Sequence, residues 1–456
     1  MNLFQLVLKQ MRQRSLSTWL TMLSILLGVG LGSAIMILQR GAGVLFGQTE
    51  YAFDVLIGAK GSPLQLTLNT VYQLDKSPGN IPYSLYEQMM TDRKYRSDIK
   101  IAVPLAVGDS YKGQRIVATM PKMFGVDDEG KELDDDHNLG YRPEKHFQIA
   151  QGKVFAPNKF EAVIGSDIPQ LTGLKLGDQF QATHGMPAPN MPADVHPEQW
   201  TVAGVLAPTH TAADRVVYIP LITFYCIFEH EAGLEAIAQL QQGKAPAPAT
   251  KEAEEEKHYS LNPDGTIDLK LPKSDWMLSA IMVHSRGGFN ARNLMWNINN
   301  QNVAAAVSPA EEMRKFFDVF LSPSSRLLQA VSYLVTVVAG VGILVSIYNS
   351  VSARMREIAI LRALGATRHR ILTLICVEAG LIGLLGGTLG LLAGHVLGAA
   401  GSVFVERLVG EGFNWINVGP EEWIYLGAVV VLSVLAGLVP AMKAYRTPVA
   451  DNLVAA

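Results

Sequence analysis

The chain has 456 residues, of which 49% are apolar and only 17% charged, and its mean hydropathy is +0.19. That balance is high for a soluble protein and calls for membrane segments beside a globular part. A net charge of −3 argues against nucleic acid as a main ligand, because neutralising phosphates takes clustered Lys and Arg, and two cysteines (Cys226 in the globular part, Cys376 in an apolar run) do not make a disulfide framework.

In chain order, residues 1–16 place Phe4, Val7, Leu8 and Met11 on one helical face and Gln5, Lys9 and Arg12 on the other. This reads either as an interfacial helix under the membrane or as an extension of the first span. Ser15 to Gln39 carries no charge, and a first transmembrane helix is expected over 17–39. Lys9, Arg12 and Arg14 precede it and Gly32-Ser33-Ala34 resembles a cleavage site, but the apolar run exceeds the roughly 7–15 residues of a signal peptide, so it is expected to be retained. Residues 40–326 read as one mixed α+β domain. Its strand-like runs are Asp54–Ile57, Ile101–Val103, Ile116–Thr119, Ala162–Ile164, Thr201–Ala203, Val216–Ile219 and Ala280–Val283. A capping box at Ser84-Leu-Tyr-Glu87 signals one helix and Asn290–Asn299 another. Residues 231–273, with QQGKAPAPATKEAEEEK, are poor in bulky apolar residues and read as a mobile surface insertion.

Three more uncharged or nearly uncharged stretches follow, giving transmembrane helices over 327–351, 371–400 and 422–442, with a loop at 352–370 and a tail at 443–456. The charges flanking them set orientation. Lys9, Arg12 and Arg14 precede the first span; Arg354, Arg356, Arg362, Arg368 and Arg370 fill the loop between the second and third; Lys443 and Arg446 follow the fourth. The loop between the third and fourth carries instead Glu406, Glu411, Glu421 and Glu422 against Arg407. Both termini and the Arg-rich loop are therefore expected in the cytoplasm and 40–326 outside it, with the lipid bilayer as a partner.

Within the spans, Gly28-x-x-x-Gly32 and the row Gly386, Gly390, Gly394 and Gly398 have the spacing that lets helix backbones approach closely, either inside one subunit or between two. Glu378 lies two turns into the third span, where a charge costs roughly 2.5–3.5 kcal/mol on insertion scales, so it is expected to face protein, water or a basic partner. Enzyme signatures are missing. There is no phosphate loop, Gly58-Ala-Lys-Gly61 lacking the spacing, and no His-Glu-x-x-His. His184, His196 and His210 lie near Asp194, but their spacings match no standard metal motif and they read as scattered surface histidines.

The most specific segment is Ser352–Thr367. Ile358, Leu361 and Leu364 share a face of a short amphipathic helix, Gly365 is placed to end it and Thr367 to cap the third span. Arg356-Glu-Ile-Ala-Ile-Leu-Arg-Ala-Leu-Gly-Ala366 resembles the signature of the MacB/FtsX-type ABC permeases. The likeness continues through Glu378 and the Gly-rich run to Pro440–Pro448, and more loosely at Phe155–Asp178.

The resemblance implies a four-helix membrane protein whose external domain has two subdomains, here 48–100 with 275–320 near the membrane and 101–274 distal. It implies a permease subunit that binds no cofactor itself and pairs with a cytoplasmic ABC ATPase carrying the ATP and Mg. A second permease copy or a related permease completes a dimer in the inner membrane, and a periplasmic adaptor is a further partner it allows. Arg354, Arg356, Glu357, Leu361, Arg362 and Gly365 would form the ATPase-coupling helix. The function implied is export or extraction driven by movement of the external domain. The alternative is a regulator that uses the ATPase to control an external partner such as a cell-wall hydrolase.

Overall fold

The computed structural model describes residues 9–446 apart from 10, 13–14, 47–50, 75, 135–136, 187–194, 228–258, 354, 356–357, 359, 361, 363–364 and 410–411. The chain divides into a helical unit (up to Leu45, Phe317–Glu406 and from Gly412) and a sheet-rich unit (Phe46–Phe316 with Arg407–Glu411). The longer helices in chain order are α1 (Ser15–Phe46), α2 (Pro63–Thr70), α3 (Tyr83–Thr91), α4 (Gly288–Asn299), α5 (Pro309–Phe316), α6 (Ser322–Ala353), α7 (Arg368–Val409) and α8 (Pro420–Arg446).

Eleven strands form the main sheet: β1 (Val55–Gly58), β2 (Ile99–Tyr111), β3 (Gln114–Thr119), β4 (Ile149–Gly152), β5 (Glu161–Ile164), β6 (Gln179–Phe180), β7 (Thr183–His184), β8 (Trp200–Leu206), β9 (Val217–Pro220), β10 (Ala280–Ser285) and β11 (Ala305–Val307). Their order is β11-β1-β10-β2-β3-β9-β5-β8-β4, with β6 on β8 and β7 on β2. The β3–β9 and β5–β8 pairs are parallel and the other ladders antiparallel. Period-two alternation sends Val55, Ile57, Ala102, Ile116, Ile164, Ile219 and Ile281 to one core, with Met89 of α3 and Leu294 of α4. Leu56, Val103, Val117, Val163, Tyr218 and Met282 go to the other, with Leu66 of α2 and an aromatic group around Phe124. Both faces are covered, which is why the strands are unbroken apolar runs rather than half-polar ones.

Strand β2 holds the sheet together. Ile99–Leu105 pairs with β10 and Ala106–Tyr111 with β3, and the register shifts between Val107 and Ser110. The residues expected to form membrane-proximal and distal parts are thus joined in one ladder by a strand that straddles the expected boundary.

Two local expectations are corrected. The helix at Ser84 begins one residue earlier, at Tyr83, with Pro82 extended before it and no side-chain cap; Pro82 is held by pairing with Met277, so Ser84 falls inside the first turn. Of the stretch expected to be a mobile insertion, 231–258 lies outside the described residues, but Tyr259–Leu261 and Ile267–Leu269 pair as an antiparallel hairpin. Asp264-Gly265 makes its turn, with Gly265 at φ +79°, and the Ile267 N–H donates to the Asn158 carbonyl at 2.8 Å.

Among the described residues of the helical unit, four helices are long and apolar enough to cross a membrane. At 42 residues, α7 runs past the expected end at residue 400; a rise of 1.5 Å per residue makes it about 63 Å long, roughly twice a bilayer's hydrocarbon thickness. The glycine row on α7 lies against α1 of the same chain. A Cβ built at Gly386, Gly390, Gly394 or Gly398 would stand 3.0, 2.7, 2.6 and 2.8 Å from Ile25, Val29, Ser33 and Ile37 respectively. One step round, Gly383 and Gly387 meet Ser433 and Leu426 of α8, while Gly28 and Gly32 of α1 meet Thr336 and Ser332 of α6.

Gly394→Val is expected to destabilise the protein by about 1–3 kcal/mol, because the nearest neighbours are a helix backbone and a Cβ that cannot swing aside. Gly427→Val, where a Cβ meets nothing within 4 Å, is the control. Thermal unfolding in detergent distinguishes them.

Candidate functional site

The loop between α6 and α7 is built as a stop and a restart. Gly365 adopts φ +100°, and its N–H donates to the Arg362 carbonyl at 3.1 Å. A side chain there would be strained by the backbone, so glycine suits the position. Thr367 Oγ1 then accepts from the Arg370 N–H at 3.3 Å, capping α7. Met355 and Ile358 pack on the bundle core formed by Val351, Ile371 and Ile375, while Ile360 is exposed. Arg368, His369 and Arg370 are exposed at the loop's end. The Arg368 guanidinium stacks 5.5 Å over the Tyr445 ring, tying the start of α7 to the end of α8. Arg354, Arg356, Glu357 and Leu361 lie outside the described residues, as does Leu364.

Glu378 is buried, 8% exposed, in the helical unit. A second buried acid was not singled out from the sequence. Glu422, whose side chain has no exposure, gathers groups from three segments. Its Oε1 accepts from Arg40 Nη2 of α1 at 3.2 Å and from the Gly419 N–H at 3.2 Å. Its Oε2 accepts from Ser33 Oγ at 3.1 Å and lies 2.9 Å from His395 Nε2 of α7. His395 Nδ1 is 2.6 Å from the Trp415 carbonyl, which can only accept, so Nδ1 carries a proton. Arg40 also donates to the Asn417 carbonyl at 3.0 Å and sits 3.5 Å from Glu421.

Glu421 and Glu422 read in the sequence as loop charges. The local signal was Gly419-Pro420-Glu421-Glu422: proline at the first helical position and an acid at the third, whose carboxylate reaches back to the capping N–H. A neighbouring hydroxyl cluster joins α1, α6 and α8. Tyr425 Oη lies 2.5 Å from Thr336 Oγ1 and 3.3 Å from Ser332 Oγ, and donates to the Gly28 carbonyl at 3.4 Å.

The histidines correct another expectation. His196 is 1% exposed, not a surface residue, and it converges with His184 on Asp109. His210 is apart from them and exposed, its backbone N–H donating to Asp214 Oδ2 at 2.7 Å; Asp194 lies outside the described residues.

Two family models match this chain. One describes the MacB-like periplasmic core domain and covers residues 18–256; the other describes the FtsX-like permease C-terminal part and covers 330–449. The chain belongs to the MacB/FtsX-type ABC transporter permeases. The family account covers both units and leaves the Arg-rich loop inside the FtsX-like match. Similar proteins include an uncharacterised ABC transporter permease of Methanocaldococcus jannaschii, 29% identical over 134 residues (29% of this chain and 33% of that one). The macrolide export ATP-binding/permease protein MacB of Burkholderia cenocepacia is 36% identical over 129 residues, 28% of this chain and 18% of its own length. MacB of a Shewanella species is 32% identical over 127 residues, 28% of this chain and 19% of its own. The matched segments thus cover a third or less of these relatives.

Glu422→Ala removes a fully buried carboxylate that accepts from Arg40, Ser33 and the Gly419 N–H; because Arg40 is 35% exposed and keeps Asn417 and Glu421 as partners, a loss of about 1–3 kcal/mol is expected. Glu421→Ala, whose side chain is 64% exposed, is expected to cost less than about 1 kcal/mol. Melting of the two purified variants in one detergent checks the contrast.

Proposed function

We propose that this permease is the membrane subunit of an ABC transporter in which a separate cytoplasmic ATPase, carrying the ATP and Mg, drives movement of the sheet-rich domain on the other side of the inner membrane, for export or extraction of a substrate. The observation that carries this reading is the loop between α6 and α7, inside the FtsX-like match. There a positive-φ glycine ends one segment, a threonine cap starts the next helix, and the sequence supplies Arg354, Arg356, Arg362, Arg368 and Arg370.

Insertion of the four apolar helices in the bilayer is supported by the row Leu16, Leu20, Leu23, Leu27 and Leu31 on α1, all at least 40% exposed, at helical spacing on one face. The basic residues beside α1, in the Arg-rich loop and after α8 favour a cytoplasmic side for both termini. Arg354, Arg356, Glu357, Leu361, Arg362 and Gly365 would dock on the ATPase, with apolar residues seating the segment on the bundle and arginines facing the motor. A second permease copy or a related permease completes the assembly, and a periplasmic adaptor is a further partner of the outer domain. The names of the MacB relatives, macrolide exporters with their own ATP-binding part, favour export over control of a hydrolase.

The purified chain alone is expected to show no ATP hydrolysis. With its partner ATPase in liposomes, Arg356→Glu is expected to lower permease-dependent ATP turnover about tenfold with little change in melting temperature, whereas Gly365→Pro, which cannot adopt φ +100° and loses the N–H bonded to the Arg362 carbonyl, is expected to lower both turnover and melting temperature. Unchanged turnover in both variants would overturn the docking assignment.

A further inference from the structure

Three ionisable side chains in the sheet-rich unit come from segments that the sheet places side by side. Asp109 on β2 is the direct cross-strand partner of His184 on β7, and Thr183 next to it bridges Val195, the residue before His196. The backbone fixes this arrangement. The Gly185 N–H donates to the Gly108 carbonyl and the His196 N–H to the Ala182 carbonyl, both at 2.9 Å. Ser110 Oγ donates to the Gly185 carbonyl at 2.6 Å, and Gln181 Nε2 to the His196 carbonyl at 3.1 Å.

The side chains converge on one point. His196 Nε2 lies 3.4 Å and His184 Nδ1 3.8 Å from the same oxygen, Asp109 Oδ1, and one ligand atom from each of the three residues falls within 4.8 Å of the others. Charge-assisted hydrogen bonds between imidazole and carboxylate run at about 2.7–2.9 Å, and these separations are longer. They are instead close to the edge of a coordination tetrahedron, since bonds of about 2.0–2.1 Å put two ligands roughly 3.4 Å apart. The side chains of Asp109 and His196 have no exposure, while that of His184 is 52% exposed and leaves the point reachable from solvent.

We propose that Asp109, His184 and His196 bind a divalent transition-metal ion, with zinc the best match. Two imidazoles and one carboxylate are the donor set such an ion takes when it keeps a fourth position for water or an incoming group. Calcium and magnesium prefer oxygen-only shells, and no thiol is present to select a softer ion. The spacing of twelve residues between the histidines fits no linear motif because pairing of β7 with the segment at Val195 brings them together, not a helical turn.

The test uses the full-length protein in detergent, stripped with a chelator and titrated with zinc sulfate by calorimetry, with cobalt(II) absorbance as a second readout. One zinc per chain is expected, along with the visible absorption of four-coordinate cobalt. His184→Ala, at an exposed position that leaves the core intact, and Asp109→Asn are each expected to weaken zinc at least tenfold and to abolish the cobalt bands, while His210→Ala changes neither. Binding below one ion per chain, or zinc affinity unchanged in His184→Ala, would overturn the site and mark any uptake as adventitious. Displacement of zinc by equimolar magnesium would overturn the assignment of the metal class.

Discussion

A carboxylate without solvent, set among apolar helices, has to collect its own polar partners, and Glu422 collects donors from α1 and from the turn that starts α8 and a histidine contact from α7. Each partner fixes a helix. Arg40 and Ser33 are seven residues apart, so they lie on one face of α1; that face can reach Glu422 only where α1 runs close to α7 and α8. His395 brings in α7 and, through the Trp415 carbonyl, the chain that follows it. The register of three helices at one end of the bundle is therefore a matter of satisfying one acid.

That register works only because the helices can come near enough. The glycines of α7 divide into two rows, one facing α1 and one facing α8, so the same helix presents small residues on two sides. Dispersion forces between closely approached backbones replace the hydrophobic drive that a lipid surround would remove. The row on α1 at Gly28 and Gly32 does the same toward α6, next to the hydroxyl cluster around Tyr425. Small residues and buried polar links recur together: the glycines shorten the distance and the polar groups set the sliding position.

Much of this was legible in the residues and some was not. The seven strand-like runs all overlap strands of the main sheet, two of them starting one residue early, because β-branched, fully buried strands leave a dense local signal. Ile149–Gly152 and Ala305–Val307 were invisible: the first is short, holds one β-branched residue and lies exposed on a sheet edge, the second is alanine-rich, and both owe their conformation to a neighbouring strand. The stop at Gly365 and the cap at Thr367 were readable because they are made by adjacent residues. Glu422 with His395, and Asp109 with His184 and His196, were not, since the partners are 27 or more and 75 or more residues apart respectively and meet only once helices pack or strands pair. Charge counting, which treats Glu422 as part of an acidic loop, cannot tell a solvated acid from one enclosed by a helix start.

The unbroken strand β2 bears on how the sheet-rich domain can deform. Thirteen residues run from the β10 ladder into the β3 ladder without a loop between them. Bending one half against the other by a hinge would tear backbone hydrogen bonds in mid-strand, an expensive route while the strand is paired. The irregularity between Val107 and Ser110 is one place where a ladder is already interrupted, as are those at His284–Ser285, Ile149–Gln151 and Ala162–Val163, and bulged positions concentrate twist and bending. Compliance in this domain is thus concentrated in a few short creases in an otherwise stiff plate, and Asp109 lies in one of them.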